Sequence, residues 1–262
     1  MIAAIEAGLW ESRLATAASA ATEIHNGSDM LRFTTGIPFA PFNGVLRTRL
    51  KASEADGAID STLSYFQSRN LPMSWMVEPS AQPDDLGDRL TAKGFVPEKD
   101  GGSGMALDLE SLGEEPRRPL GLKIEDLPSK GWRDEFAAVM AAGFGIPGPF
   151  LQDFIGIFAD ASNKHPGSLA AYLGRLDGEA VATSMLLLSG GVAGIFNVAT
   201  VEQARGRGAG AAMTYAPLLE ARRRGYRIAI LQSSEMGFRV YERLGFREYC
   251  RFSEFVWEAA VA

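Results

Sequence analysis

Six consecutive residues stand out for the chemistry they could do: Arg205, Gly206, Arg207, Gly208, Ala209 and Gly210, reading RGRGAG. Glycine at alternate positions lets a backbone approach a ligand without side chains in the way. An amphipathic helix follows at once. Its first N–H groups have no acceptor within the helix, and its positive dipole end faces the loop. Together these features bind phosphate oxygens through backbone donors. The alternative is a plain flexible turn before a helix. The loop is not a Walker loop, because no Lys-Ser/Thr follows the last glycine. It also fails the dinucleotide fingerprint, because the strands before it read as antiparallel hairpins rather than a βαβ unit. Tyr241, within VYERLGF, is a second candidate. It reads either as a proton donor or as a core aromatic on an amphipathic helix.

The remaining reactive residue types exclude more than they suggest. One cysteine, Cys250, and two histidines, His25 and His165, allow neither a disulfide nor a Cys/His metal cluster. His165, in NKHPG, reads as a loop histidine. The arginines of ARRRG, residues 221–225, suit the last turn of a helix through its dipole. A formal net charge of -6 argues against a nucleic-acid partner and mildly favours a cationic substrate. At the N-terminus, Glu6, Glu11 and Arg13 interrupt any signal-peptide core, and no apolar run is long enough to cross a membrane. A reducing, cytoplasmic location is the expectation.

These residues must be held by a scaffold, and the patterning predicts one. An alanine-rich helix covers about residues 5–24, with two alternating strands after it. A helix follows in SEADGAIDSTLSYFQSRN with Ser53 as its N-cap, then the strand MSWMVE, a helix in PDDLGDRLTAKG and the strand GMALDLE. SLGEEPRRPLG, residues 111–121, lacks apolar periodicity and reads as a linker between domains at 1–110 and 122–262. The second half reads as a strand, two helices, three strands joined by DG and GG hairpins, the RGRGAG helix, a strand, the Tyr241 helix and one last strand, REYCRFSEFVWE. The halves echo each other: Phe95 and Phe246 each follow a helix-ending Lys-Gly or Leu-Gly pair, and each half carries a Gly/Pro/aromatic loop, TTGIPFAPF and GFGIPGPF.

RGRGAG and VYERLGF, in that order with a helix and a strand between them, resemble the two signatures of the GNAT superfamily of N-acetyltransferases. The resemblance covers about residues 120–258. It implies an α/β (α+β) fold with a mixed, mostly antiparallel sheet flanked by helices, and the echo between the halves extends this to a fold present twice. It implies acetyl-CoA as cosubstrate. Backbone N–H groups of Arg205, Gly206, Arg207, Gly208, Ala209, Gly210 and Ala211 would hold its pyrophosphate. Asn197, Val198, Ala199 and Thr200 would pair with its pantetheine arm, with Val198 and Thr200 as the donors and one of them facing the thioester oxygen. Tyr241 would protonate the departing thiolate.

The family pattern is not complete. Ser233 and Ser234 stand where an asparagine is common, with Ser234 expected to touch cofactor or cap a helix. The strand GVAGIFNVAT has no carboxylate to act as base, which leaves water, Glu235, Asp153 or His165. The first half lacks both signatures: Gly208 and Gly210 fall on Gly57 and Ile59, and Tyr241 on Leu90. It would then serve as a degenerate copy that is structural or walls the acceptor site, with Phe39, Phe42 and Trp75 as candidate wall residues. The expected protein acetylates a small-molecule or peptide amine by direct attack and binds no metal, and its oligomeric state is open, with a homodimer as one option. The rival reading is an acyl-CoA sensor without turnover.

Overall fold

A computed structural model describes residues 1–17, 19–99, 101–127, 133–165 and 167–259. The chain order is α1 (Ile2–Thr16), β1 (Glu23–Asn26), β2 (Leu31–Thr34), β3 (Asn43–Leu46), α2 (Ala52–Gln67), β4 (Met73–Val77), α3 (Leu86–Ala92), β5 (Val96–Pro97) and β6 (Ser103–Asp108). It continues with β7 (Lys123–Leu127), α4 (Arg133–Phe144), α5 (Gly148–Lys164), β8 (Leu169–Leu176), β9 (Glu179–Ser189), β10 (Val192–Thr200), α6 (Ala209–Arg223), β11 (Ile228–Ser233), α7 (Glu235–Arg243), β12 (Arg247–Arg251) and β13 (Ser253–Trp257). The first residues of the helix predicted from Lys130 lie outside the described residues. The helix predicted to reach Ile24 ends at Thr16, and Ile24 lies in β1. Ser53 sits inside α2, whose N-cap is Lys51.

The strands form two mixed sheets, ordered β1-β2-β3-β4-β13-β5 and β12-β6-β11-β10-β9-β8-β7. The DG and GG turns close the β8–β9 and β9–β10 hairpins, with Asp177, Gly178, Gly190 and Gly191 all at positive φ.

The sheets do not divide where the sequence predicted. β6, from the first half, pairs with β11 and β12 in the second sheet. β13, from the chain end, pairs with β4 and β5 in the first. The single last strand expected from the sequence is therefore two strands, broken at Phe252. The exchanged segments cross there: the Phe252 N–H donates to Gly102 O at 2.8 Å. A Cβ added at Gly101 would lie 2.0 Å from Phe252 O, so the crossing requires glycine.

α1 also crosses the predicted boundary. Its Ile5 and Leu9 share one buried cluster with Leu31, Phe33 and Leu46 of the first sheet and Val192 and Ile230 of the second. A Cβ at Gly8 would meet the Ile230 side chain at 2.0 Å, which is how the helix lies this close. From the first half, Ile37 and Phe42 are buried in the main cluster of the second. Trp75 is core, donating its indole N–H to Thr48 Oγ1 at 2.9 Å.

Candidate functional site

The two central strands of the second sheet separate. β10 and β11 run parallel and pair only at Ala193–Ala229 and Gly194–Ile230. From Ile195 onward, β10 keeps β9 on one side and has no β11 partner on the other. A bulge interrupts the β9 pairing between Phe196 and Ala199. Asn197 sits in it at φ 52. Two bonds hold it: Thr183 Oγ1 donates to Asn197 O at 3.0 Å, and Asn197 Nδ2 donates to Met185 Sδ at 3.0 Å. Beyond the bulge the Val201 N–H donates to Val181 O, so Val201 and Ala199 turn their backbones toward β9. By alternation Thr200 and Val198 turn theirs to the open side.

The open edge leads into the glycine loop. Gly206 is at φ 72, and Gly208 at φ 95 forms the N-cap of α6. The first ladder bond runs from Ala212 N to Gly208 O, so the N–H groups of Ala209, Gly210 and Ala211 have no acceptor within the helix. Arg205 Nε donates to Thr200 O at 3.1 Å and ties the loop to the end of β10. A Cβ at Gly210 would lie 3.5 Å from Thr200 Oγ1, which places the first turn of α6 beside the same residue. Arg205, Gly206 and Arg207 are exposed.

The linker braces this loop, which sequence reading missed. It runs along α6 through Arg222 Nη1 to Leu112 O at 3.4 Å and Tyr215 Oη to Gly113 O at 2.9 Å. Near the helix start, a Cβ at Gly208 would lie 2.6 Å from Arg117 O. Two prolines, Pro116 and Pro119, were the available signal for an extended strap.

Tyr241 lies on α7, whose N-cap Ser234 accepts from the Gly237 N–H at 3.4 Å. The tyrosine packs edge-on against Phe246 at 6.1 Å. Its ring covers Gly237, where a Cβ would lie 2.8 Å from the ring and 3.2 Å from Ser233 Oγ. Burial pushes its phenol up to about 12, so it stays protonated at neutral pH. Among the described residues, no hydrogen bond engages its hydroxyl. It joins Ala199 in the main buried cluster, with Val198 packed against that cluster.

The remaining candidates are scattered. His165 follows α5 and lines a separate cavity of about 240 Å³ with Glu11. Glu202 is exposed in a short 3-10 turn, and Glu235 is exposed in the first turn of α7. Asp153 lines a cavity of about 650 Å³ together with residues 35–38 of the first half. Arg223 and Arg224 pair with Glu220. Burial raises the Cys250 thiol to about 11, leaving it unreactive. Among the described residues, no group of three His, Cys, Asp or Glu could hold a metal, and no helix is long and apolar enough to cross a membrane.

An open strand edge that ends at a glycine-capped helix presents the backbone donors that an extended ligand with a phosphate end would need. Comparison with known proteins bears on which ligand. Residues 132–246 match the Acetyltransferase (GNAT) family. The GNAT match spans α4 to Phe246 and so contains both the open edge and the Tyr241 helix. The chain is similar in structure to a GCN5-related N-acetyltransferase from Kribbella flavida, with a TM-score of 0.70 and 18% identity over 95% of this chain and 94% of that one. It is similar also to one from Sphaerobacter thermophilus, at 0.65 and 16% over 91% and 76%. A tandem GNAT protein from the clavulanic acid biosynthesis pathway aligns at 0.60 and 16%, over 93% and 85%. At these identities the likeness shows the fold, and the fold is GNAT-like. No curated protein matches the chain.

Proposed function

We propose that the chain is an acetyl-CoA-dependent N-acetyltransferase acting on an amine by direct attack. The observation that carries this is the unpaired edge of β10 ending at the bare N-terminus of α6. An acyl-CoA has the matching parts in the matching order: a thioester, an amide-bearing arm and a pyrophosphate. Residues 205–211 would hold the pyrophosphate through backbone N–H groups, with Arg205 and Arg207 adding charge. Val198 and Thr200 would bond the arm, and one of their N–H groups would stabilise the charge growing on the thioester oxygen. Acetyl-CoA supplies the activated acyl group. Tyr241, protonated and without a bonding partner of its own, would donate its proton to the departing sulfur, and the proton lost by the attacking amine would pass through water to restore the phenol. No cysteine lies in the site, so a covalent acyl-enzyme has no support.

We read the first half as a copy of the same fold that has lost the cofactor. Its pairing order repeats that of β8 to β12: two antiparallel steps, a parallel step, then an exchanged strand. β3 and β4 also pair at only two positions, Gly44–Ser74 and Val45–Trp75. Arg47, at φ 56, then departs as Asn197 does. Here, however, the chain itself fills the gap. The Arg47 N–H donates to Glu78 Oε1 at 2.5 Å, and Trp10 Nε1 donates to the same oxygen at 3.0 Å. The Gln82 N–H donates to Thr48 O, and the Leu50 N–H to Gln82 O. Gly57 and Ile59 lie inside α2, where the second half has its glycine loop. Leu90, at the position of Tyr241, is fully buried.

The sensor reading is favoured by one feature, the lack of a carboxylate on β10. Consumption of acetyl-CoA with a panel of amines separates the two. A transferase turns over with at least one amine, and a sensor binds without turnover.

A further inference from the structure

Residues 35–38 and α5 flank an open cavity of about 650 Å³. We infer that this cavity is the acceptor site and that it takes an amine carrying a second positive charge. The inference rests on the acetyltransferase reading and names its substrate class.

The cavity begins at the first turn of α5, just past the point where α4 meets β10. α4 ends against β10: a Cβ at Gly143 would lie 2.6 Å from Ala199 Cβ and 3.6 Å from Thr200 N. The chain turns there, and α5 begins at Gly148. Pro149 and Phe150, in its first turn, already line the cavity. Ile37 and Ile157, also lining it, belong to the same buried cluster as Ala199 and Tyr241, and Phe150 packs on that cluster. Ile37 and Pro38 of the first half thus line one cavity with Pro149 and Phe150 of the second, whereas Phe39, Phe42 and Trp75, the wall residues expected from the sequence, do not line it.

Its chemistry is one-sided. Phe150, Asp153, Ile157 and Asp160 follow one another along α5 at steps of three and four, and all line the cavity. Among the described residues, no lysine or arginine lines it. Asp160 accepts from the buried Ser19 Oγ at 2.9 Å, which fixes its carboxylate and leaves oxygen lone pairs over. Asp153 has no hydrogen bond or ion pair among the described residues. Seven helical residues separate the two carboxylates by about 10 Å along the axis. Ile37, Phe150 and Ile157 supply apolar surface beside them. A monoamine leaves most of this volume and one carboxylate unused. An amine with a distal ammonium group meets both the apolar walls and the carboxylates.

Calorimetric titration of the full chain tests this, with α,ω-diamines of increasing length against monoamines of equal length, with and without coenzyme A. The inference expects at least one diamine to bind about five- to tenfold more tightly than its monoamine. Asp153→Asn with Asp160→Asn should erase that difference while leaving coenzyme A affinity unchanged. Asp153→Lys alone, at an exposed position, should weaken diamine binding further. Equal affinities for diamines and monoamines, or diamine binding unaltered in both variants, would overturn the inference and leave the transferase reading standing. Diamine binding without coenzyme A binding would do the reverse, keeping the cation site and removing the transferase.

Discussion

The Thr183 hydroxyl donates to the Asn197 carbonyl at 3.0 Å, from a side chain with no exposure to solvent. This bond crosses from β9 to the bulge in β10. A non-glycine residue at positive φ is unfavourable, so something must hold it. The bulge decides which N–H groups face the open edge, because a slip of one residue reverses them all. Thr183→Val keeps the side-chain shape and removes the bond, at a cost of about 1 kcal/mol. The expected outcome is a fall in kcat of about fivefold to tenfold, with Thr183→Ser restoring it. Unchanged kcat in the valine variant would show that the bulge holds itself.

Tyr241→Phe removes the proposed proton donor and keeps the ring that packs on Phe246. Turnover should fall by about 100-fold or more, with coenzyme A affinity nearly intact. A large loss of affinity would mean that the ring, not the hydroxyl, is the functional part. The pH profile gives a second check. Burial raises this phenol to about 12, so it remains a donor as pH rises through the neutral and mildly alkaline range. Tyr241 should therefore impose no alkaline fall in kcat below about pH 10. The sign for stability agrees: the folded pKa lies above the unfolded one, so the contribution is intact below about pH 10 and is lost as pH approaches 12.

Glu78 plugs the strand gap of the first half, and its carboxyl is held above the usual range chiefly by burial. Glu78→Ala would take the shared acceptor from the half-buried Trp10 indole N–H and Arg47 N–H. The expected cost is about 2–4 kcal/mol, read as a lower urea midpoint. Coenzyme A should still bind at one site per chain. An unchanged midpoint would remove the plug from the account.

The second half was readable because its signals are local. Gly178, Gly190, Gly191, Gly206, Gly208 and Gly245 all stand at positive φ, where the turn or cap demands it. The hairpins and the glycine-capped helix followed from those positions. The strand exchange was not readable, because an alternating strand looks the same whichever sheet it joins. Phe252 continues the apolar pattern from β12 to β13, so the two read as one strand. The strand pairings themselves, β6 with β11 and β12 and β13 with β4 and β5, reveal the crossing. The end of α1 was hidden by its alanines, which give no stop signal. The linker's bracing uses backbone carbonyls at Leu112, Gly113 and Arg117, which side-chain types do not encode. The bulge at Asn197 lacks the glycine that would have marked it.

The central claim is that residues 205–211 and the open edge of β10 hold coenzyme A. Calorimetric titration of the full chain with coenzyme A tests it most directly, beside the double variant Arg207→Glu, Gly208→Glu. The account predicts one site per chain in the wild type. It predicts no binding in the variant, where added carboxylates repel phosphate and a side chain at Gly208 collides with Arg117 O. No wild-type binding at millimolar coenzyme A, or equal binding by the variant, would contradict it.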